Sequence, residues 1–456
     1  MLIEITTSIA AASILGLAQL KKEGSTEDDA KKIKQIADNV GLKKAGQSIR
    51  IHRRYRPKNK RYTEYIYQIP LGLGLQDFKD QIDKFEDGLN NKKTVFTFKL
   101  GDMKKLNLKG LRKIKSIPGI FEELKRIFGE KHLIRKTINM SYDGMLRVKV
   151  YDQDIPAYLP FNEAVWEQCK KWHVPIGETK DGIHLIRLDD GHAVIAGTTR
   201  YGKTTFLHLL INTFIKLHPN EVEFSLIDLK SGLSFQRYKD CKQVIKLAED
   251  LESSHSCFKG VIQEMKRRKA WFKKLGAEKI QDVKEPITRH YVIIDEASNL
   301  DYRRMELETK EDIQRAKFLY EQCKAWMKTI ACEAASLGIY LVFSTQYPTV
   351  EVLDSQVKAN TITKVCYRLD TGNQSLVVLD HTGAEDITVK GRAIVRTPDG
   401  TNEVQSYFLE DEQIKKVITP HTNIQPRKDD DNNEQTEQKG AENRSDTPIL
   451  KKTRLS

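Results

Sequence analysis

The sequence predicts an α/β protein: a large C-terminal domain, a smaller N-terminal α/β domain ahead of it, and a single membrane helix at the start. Three observations carry this. Near residues 192–217 a short apolar run passes into a glycine-bounded loop and then into a helix-spaced segment. More apolar runs follow, each ending on polar residues, as in parallel strands joined by helices. Between residues 63 and 150, alternating and helix-spaced stretches mix.

The chain opens with LIEITTSIAAASILGLAQL over residues 2–20, followed by Lys21 and Lys22. From Ile5 to Leu20 the run is 16 residues, against about 20 for a hydrocarbon core. No basic segment precedes it, which argues against a cleaved signal peptide. Residues 1–22 are therefore expected to be a membrane helix at the cell membrane, with the rest of the chain in the cytoplasm. The alternative is a short helix packed on the body or on a neighbour, in a cytoplasmic protein.

Residues 23–62 read as a basic linker. Nine basic side chains and no acid fall within residues 43–61, with Tyr55 and Tyr62 interleaved, a pattern suited to anionic lipid or a phosphate backbone. The small α/β domain is expected over 63–155: strands at Thr63–Pro70, Lys93–Leu100 and Met145–Val150, a helix at Gly74–Leu89, and a second basic run between Met103 and Ile117. Trp166 and Trp172 then fall in a helical approach to the large domain, 156–420. The polar stretch 421–456 is expected to be disordered, because it has too little apolar surface to offset chain entropy.

The chain has 456 residues and a formal net charge of +13, with 39% hydrophobic and 30% charged residues. This excludes a polytopic membrane protein and a collagen-like rod, and it favours a polyanionic partner. Six scattered cysteines form no CxxC pair and read as reduced thiols.

Chemistry concentrates in Gly197-Thr198-Thr199-Arg200-Tyr201-Gly202-Lys203-Thr204-Thr205. The segment satisfies G-x-x-x-x-G-K-[ST] between the apolar strand Ala193–Ala196 and the helix-spaced Phe206, Leu210, Phe214 and Leu217. Backbone N–H groups at a helix start converge on phosphate oxygens, and glycines let the chain approach closely. Lys203 supplies charge to the terminal phosphates, and the Thr204 hydroxyl can ligate Mg2+. Downstream, the run His290–Ile294 ends at Asp295 and Glu296. Asp295 is expected in the Mg2+ shell and Glu296 as the general base that polarises the attacking water. Gln346, at the end of the strand Tyr340–Thr345, is placed to sense the γ-phosphate, or else is a satisfied strand-end polar group.

Four ordered stretches make the chain resemble the FtsK/SpoIIIE-like DNA-pumping ATPases from about residue 60 to 410. They are the loop Gly197–Thr204, Leu226–Gly232, Glu264-Met-Lys-Arg-Arg268, and Gly338–Pro348 continuing through Lys358-Ala-Asn360, Leu379-Asp380 and Gly383-Ala-Glu385. The resemblance implies a RecA-like motor that binds ATP and Mg2+ between subunits of a ring, usually a hexamer, around DNA. It also implies an interface arginine acting in trans, but the family position is Lys364 here, and lysine lacks the guanidinium fork. Arg368 is the alternative candidate. A second family arginine, expected after a serine, is Leu376 following Ser375, and the arginine before "GIH" is Ala335.

No winged-helix reader domain is expected, and this makes the chain look most like the coupling or transfer ATPases of conjugative elements, with a relaxase and a membrane transfer channel as partners. The competing readings are a chromosome-segregation pump, a secretion ATPase acting on a polypeptide, and a nucleotide-gated scaffold.

Overall fold

The computed structural model describes residues 27–57, 61–90, 94–97, 130–133, 136–152, 154–230 and 232–422. The expected membrane helix, the basic run after Met103 and the polar tail beyond residue 422 lie outside these residues. Among the described residues, no helix is long and apolar enough to cross a membrane.

Much of the expected linker is folded, which corrects that expectation. Glu27–Asn39 is a helix, and Arg50–Tyr55 is a strand, β1. Ile33 and Ala37, one helical turn apart, reach the core of the small sheet, so the helix has an apolar face to bury. β2 (Tyr62–Gln68) follows, then the pair β3 (Thr94–Thr97) and β4 (Glu130–Leu133), then β5 (Thr137–Tyr142) and β6 (Leu146–Tyr151). Strands β1, β2, β6 and β5 form a four-stranded sheet in that order. Tyr65, Tyr67, Val148 and Val150 alternate onto its inner face and pack against Phe78 and Phe85. The helix expected over Gly74–Leu89 is two pieces, Leu75–Lys79 and Ile82–Leu89.

The second sheet has ten strands. In chain order these are β7 (His173–Thr179), β8 (Gly182–Arg187), β9 (His192–Ala196), β10 (Val222–Asp228), β11 (Val244–Ala248), β12 (Arg289–Asp295), β13 (Ile339–Thr345), β14 (Thr361–Tyr367), β15 (Arg392–Thr397) and β16 (Gly400–Ser406). Their spatial order is β11-β10-β12-β13-β9-β14-β15-β16-β7-β8. Neighbours from β11 to β14 are parallel. From β14 to β8 they are antiparallel. The hairpin expected around Pro398-Asp399-Gly400 is β15–β16. Sequence reading did not find the β7–β8 hairpin. It also put Trp172 in a helix, whereas that residue has φ 60 and stands just before β7.

Both faces of the parallel strands are covered, so they read as unbroken apolar runs. Ala193 and Ile195 face the core under helix Lys203–Leu217, while Val194 and Ala196 face the core under helices Leu251–Leu275 and Lys310–Glu333. The first of these two long helices is bounded by its sequence. Asp250 caps its start by accepting from Ser253 N at 2.7 Å. Gly276 ends it at φ 68.

The Glu264–Arg268 motif serves this packing. Arg268 is 1% exposed. Its guanidinium donates to Glu264 at 2.6 Å, to Thr288 O at 2.8 Å and to Leu337 O at 3.1 Å. It therefore joins the helix to the starts of β12 and β13. Gly338 lies there at φ 74, and a Cβ on it would come 2.1 Å from Ile280 Cδ1.

Replacing Arg268 by alanine should destabilise the fold by about 2–4 kcal/mol, because it strands the Thr288 and Leu337 carbonyls and empties a fully buried site, while Glu264 keeps Arg267 as partner. The same change at exposed Arg267 should stay within about 1 kcal/mol. Denaturant midpoints of the two variants check this, and equal midpoints would remove Arg268 from the role.

Candidate functional site

The site forms where β9, β12 and β13 end side by side. β9 is buried along its length, so the chain leaves the sheet directly into the loop. Gly197 N donates to Thr345 O at 3.2 Å, and Thr198 N donates to Arg368 O at 2.7 Å, which fixes the loop to its two neighbouring strands. Gly197 has φ 150 and Gly202 has φ 123. A Cβ at these positions would come 2.6 Å and 2.9 Å from Tyr367. The loop thus rests on the Tyr367 ring, and only glycine permits that approach. Tyr367 is held from below through its hydroxyl, 2.8 Å from Ser406 Oγ.

Helix Lys203–Leu217 begins at Gly202, with no side chain capping its first N–H groups. Those donors remain free for an anion. Thr198 Oγ1 is buried without a partner. Lys203 is 4% exposed and folds back onto the carbonyls of Gly197 and Thr198, the latter at 3.2 Å. Burial pushes its ammonium down to about 8, while Glu296 and then Asp295 oppose the shift. Arg200 holds a left-handed conformation at φ 68 within the loop, and Thr205 follows Thr204 on the helix.

Asp295 ends β12 and is 1% exposed. It accepts from Ser344 Oγ at 2.6 Å and from Thr204 Oγ1 at 3.3 Å. Burial raises its pKa, against the Ser344 hydrogen bond. Asp228 lies beside it in register on β10 and adds like charge. Glu296 is left-handed at φ 60 and 3% exposed. That turn aims its carboxylate across the end of β13, where it accepts from Gln346 N at 3.1 and 3.2 Å and from Ser298 Oγ. A non-glycine residue in this region costs about 1–3 kcal/mol, a strain characteristic of functional turns. Gln346 is drawn over the loop, its Oε1 accepting from Thr199 Oγ1 at 2.6 Å.

The residues present fit a magnesium-bound nucleoside triphosphate. They supply uncapped helix N–H groups, an orphaned loop hydroxyl, a buried ammonium, and a desolvated carboxylate beside the Thr204 hydroxyl. Among the described residues, no three His, Cys, Asp or Glu side chains converge on a metal site, so the protein alone does not build a cation cage.

Gly197–Thr205, Asp295, Glu296 and Gln346 are thus brought together. Lys364 is engaged away from the site, whereas Arg368 lies against the glycine loop. Lys364 lies within β14 and donates to Asp380 at 3.1 Å, a carboxylate also held by Lys358 and Arg396 at 2.6 Å each. Asp380 falls to about 2 although desolvation opposes it, because hydrogen bonds from Lys358 and Lys364 outweigh that burial. Arg368 sits with its guanidinium 5.7 Å from the Tyr201 ring centroid and donates to Ile387 O at 3.1 Å. Sequence reading missed Tyr367 and Ser344 as supports. Only Ser344 carried a signal, standing two residues before Gln346 on the same strand face.

Residues 170–305 match the FtsK/SpoIIIE family model. The DNA translocase FtsK of Streptococcus pyogenes serotype M6 is 25% identical over 302 residues, covering 60% of this chain and 35% of the relative. That of Lactococcus lactis subsp. cremoris is 24% identical over 327 residues, covering 65% and 42%. The chain therefore spans well under half the length of these curated relatives. Among solved structures, the pCW3 conjugation coupling protein TcpA, in its monomer form with ATPγS, superposes with a TM-score of 0.54 at 18% identity, over 86% of this chain and 99% of that one. At that identity the likeness concerns the fold. The segment 170–305, which holds the glycine loop and both carboxylates, is similar to the FtsK/SpoIIIE family.

Proposed function

We propose that this chain is an ATP-driven DNA translocase of the coupling type, working as a ring and moving DNA during transfer of a conjugative element. The observation that carries the reading is the convergence of Lys203, Thr204, Asp295, Glu296 and Gln346 at adjoining strand ends. The curated relatives are DNA translocases, and a structural neighbour matched over 86% of this chain is a conjugation coupling protein. The sequence likeness supports the movement of DNA. A relaxase and a membrane channel are the partners it implies.

In this reading the loop N–H groups and Lys203 hold the phosphates of ATP, while Thr204 and Asp295 hold Mg2+. The ion withdraws charge from the phosphate oxygens when bound. Glu296 takes the proton of the attacking water, and its buried, left-handed seat keeps the carboxylate oriented. Gln346 links that carboxylate to the loop through its backbone N–H and its side chain. Any role for Lys364 across a subunit boundary requires it to leave Asp380.

Lys203→Ala should lower ATP turnover by about 100-fold or more, and Glu296→Gln should bind ATP with single-turnover hydrolysis slowed about 100- to 10,000-fold. Wild-type rates in either variant would overturn the assignment. Turnover should rise with DNA when assayed with single-stranded DNA, duplex or neither. A rise with a partner polypeptide alone would favour the secretion reading.

The same site sets a pH dependence. Phosphate raises the Lys203 pKa on binding, so ATP affinity should fall by up to about tenfold per pH unit above pH 8. Calorimetry at pH 9 in buffers of different ionisation enthalpy should show proton uptake on binding. Its absence would mean that Lys203 is already fully charged in the free protein.

A further inference from the structure

Strand β1 reads Arg-Ile-His-Arg-Arg-Tyr and is exposed at every position. It is an edge of the four-stranded sheet, paired only with β2 among the described residues. The register slips by one between Ile51 and Arg53, which leaves Arg50 opposite Gln68, Arg53 opposite Ile66 and Tyr55 opposite Glu64. These three side chains therefore share one face, and Arg54, opposite Tyr65, takes the other. The first face continues across the sheet to Arg147, which lies opposite Ile66 on β6. Among the described residues, no carboxylate lies within ion-pair distance of Arg50, Arg53 or Arg54. By contrast, Arg56 just beyond them is paired with Asp152 at 2.8 Å.

We infer that the β1 edge is a second nucleic-acid contact, outside the ATPase site, which grips the phosphate backbone through Arg50, Arg53 and Arg54. Three unpaired guanidinium forks on one short strand match phosphate geometry. Tyr55, 49% exposed with the Arg53 guanidinium 5.9 Å from its ring centroid, adds a surface on which a base can stack. The strand lacks the aliphatic stripe that a bilayer-inserting surface needs, because Ile51 is its sole aliphatic side chain. Charged edges also keep strands from pairing with other molecules, and this is the competing explanation. It requires charge of either sign, whereas phosphate binding requires positive charge.

The inference rests on the translocase reading only in naming the polyanion as nucleic acid. The test is run without nucleotide, so the two can fail separately. The full chain carrying Arg50→Glu, Arg53→Glu and Arg54→Glu keeps a charged edge but reverses its sign. Binding of labelled single-stranded and duplex oligonucleotides is measured across a salt series, with thermal melting to confirm folding. Affinity should fall at least about tenfold, and the duplex salt slope should shrink by about 2–3, from the loss of three phosphate contacts. Unchanged affinity and slope in the folded variant would leave edge protection as the function of the strand. Loss of binding to phosphatidylserine vesicles with oligonucleotide binding intact would assign the edge to membrane and overturn the inference. Should the triple variant fail to fold, Arg53→Glu alone should lower the slope by about 1, and no change would likewise overturn it.

Discussion

The whole arrangement depends on one buried ammonium group. Lys203 lies at the start of a helix, beneath a loop, with its charge shared between two backbone carbonyls and the nearby Asp295 and Glu296. An isolated ammonium would not remain charged at that depth. It is tolerated because the loop is forced into place by Tyr367 beneath it and by hydrogen bonds to β13 and β14 on either side. The continuous burial of β9 positions that loop, and the acids lie at neighbouring strand ends because β12, β13 and β9 are adjacent and in parallel register.

Rigidity around the site comes from features remote from it. The Arg268 cluster ties a long helix to the strand starts, at the opposite ends of β12 and β13 from the carboxylates. The aromatic series Phe214, Tyr291 and Tyr340, with ring centroids 4.7 and 5.2 Å apart, packs the sheet against the loop helix. Tyr291 and Tyr340 each bury a hydroxyl that finds a backbone carbonyl, Leu188 O and Asp189 O, so this packing also locates the segment entering β9.

Much of the site was legible because its chemistry is local in sequence. The loop motif, Asp295-Glu296 and Thr345-Gln346 each announce themselves by residue type at a strand end. The parallel strands were legible because burial on both faces leaves continuous apolar runs. The supports were not legible. Tyr367 reads as any strand aromatic, and its place under the glycines follows from β14 pairing with β9. The ion cluster at Asp380 depends on three cations distant in sequence, Lys358, Lys364 and Arg396. Strand β1 was hidden by its own composition: an exposed edge has no apolar face, so its arginines looked like a linker.

Strand β14 carries Lys364 and Tyr367 on the same short rod, about 10 Å apart along its axis. One end is gripped by the Asp380 cluster and the other supports the glycine loop. A close-packed extended segment between two neighbours transmits displacement instead of absorbing it. One strand therefore carries both the Asp380 ion cluster and the seat of the glycine loop, so the surface anchor and the phosphate-facing loop share a single rigid support.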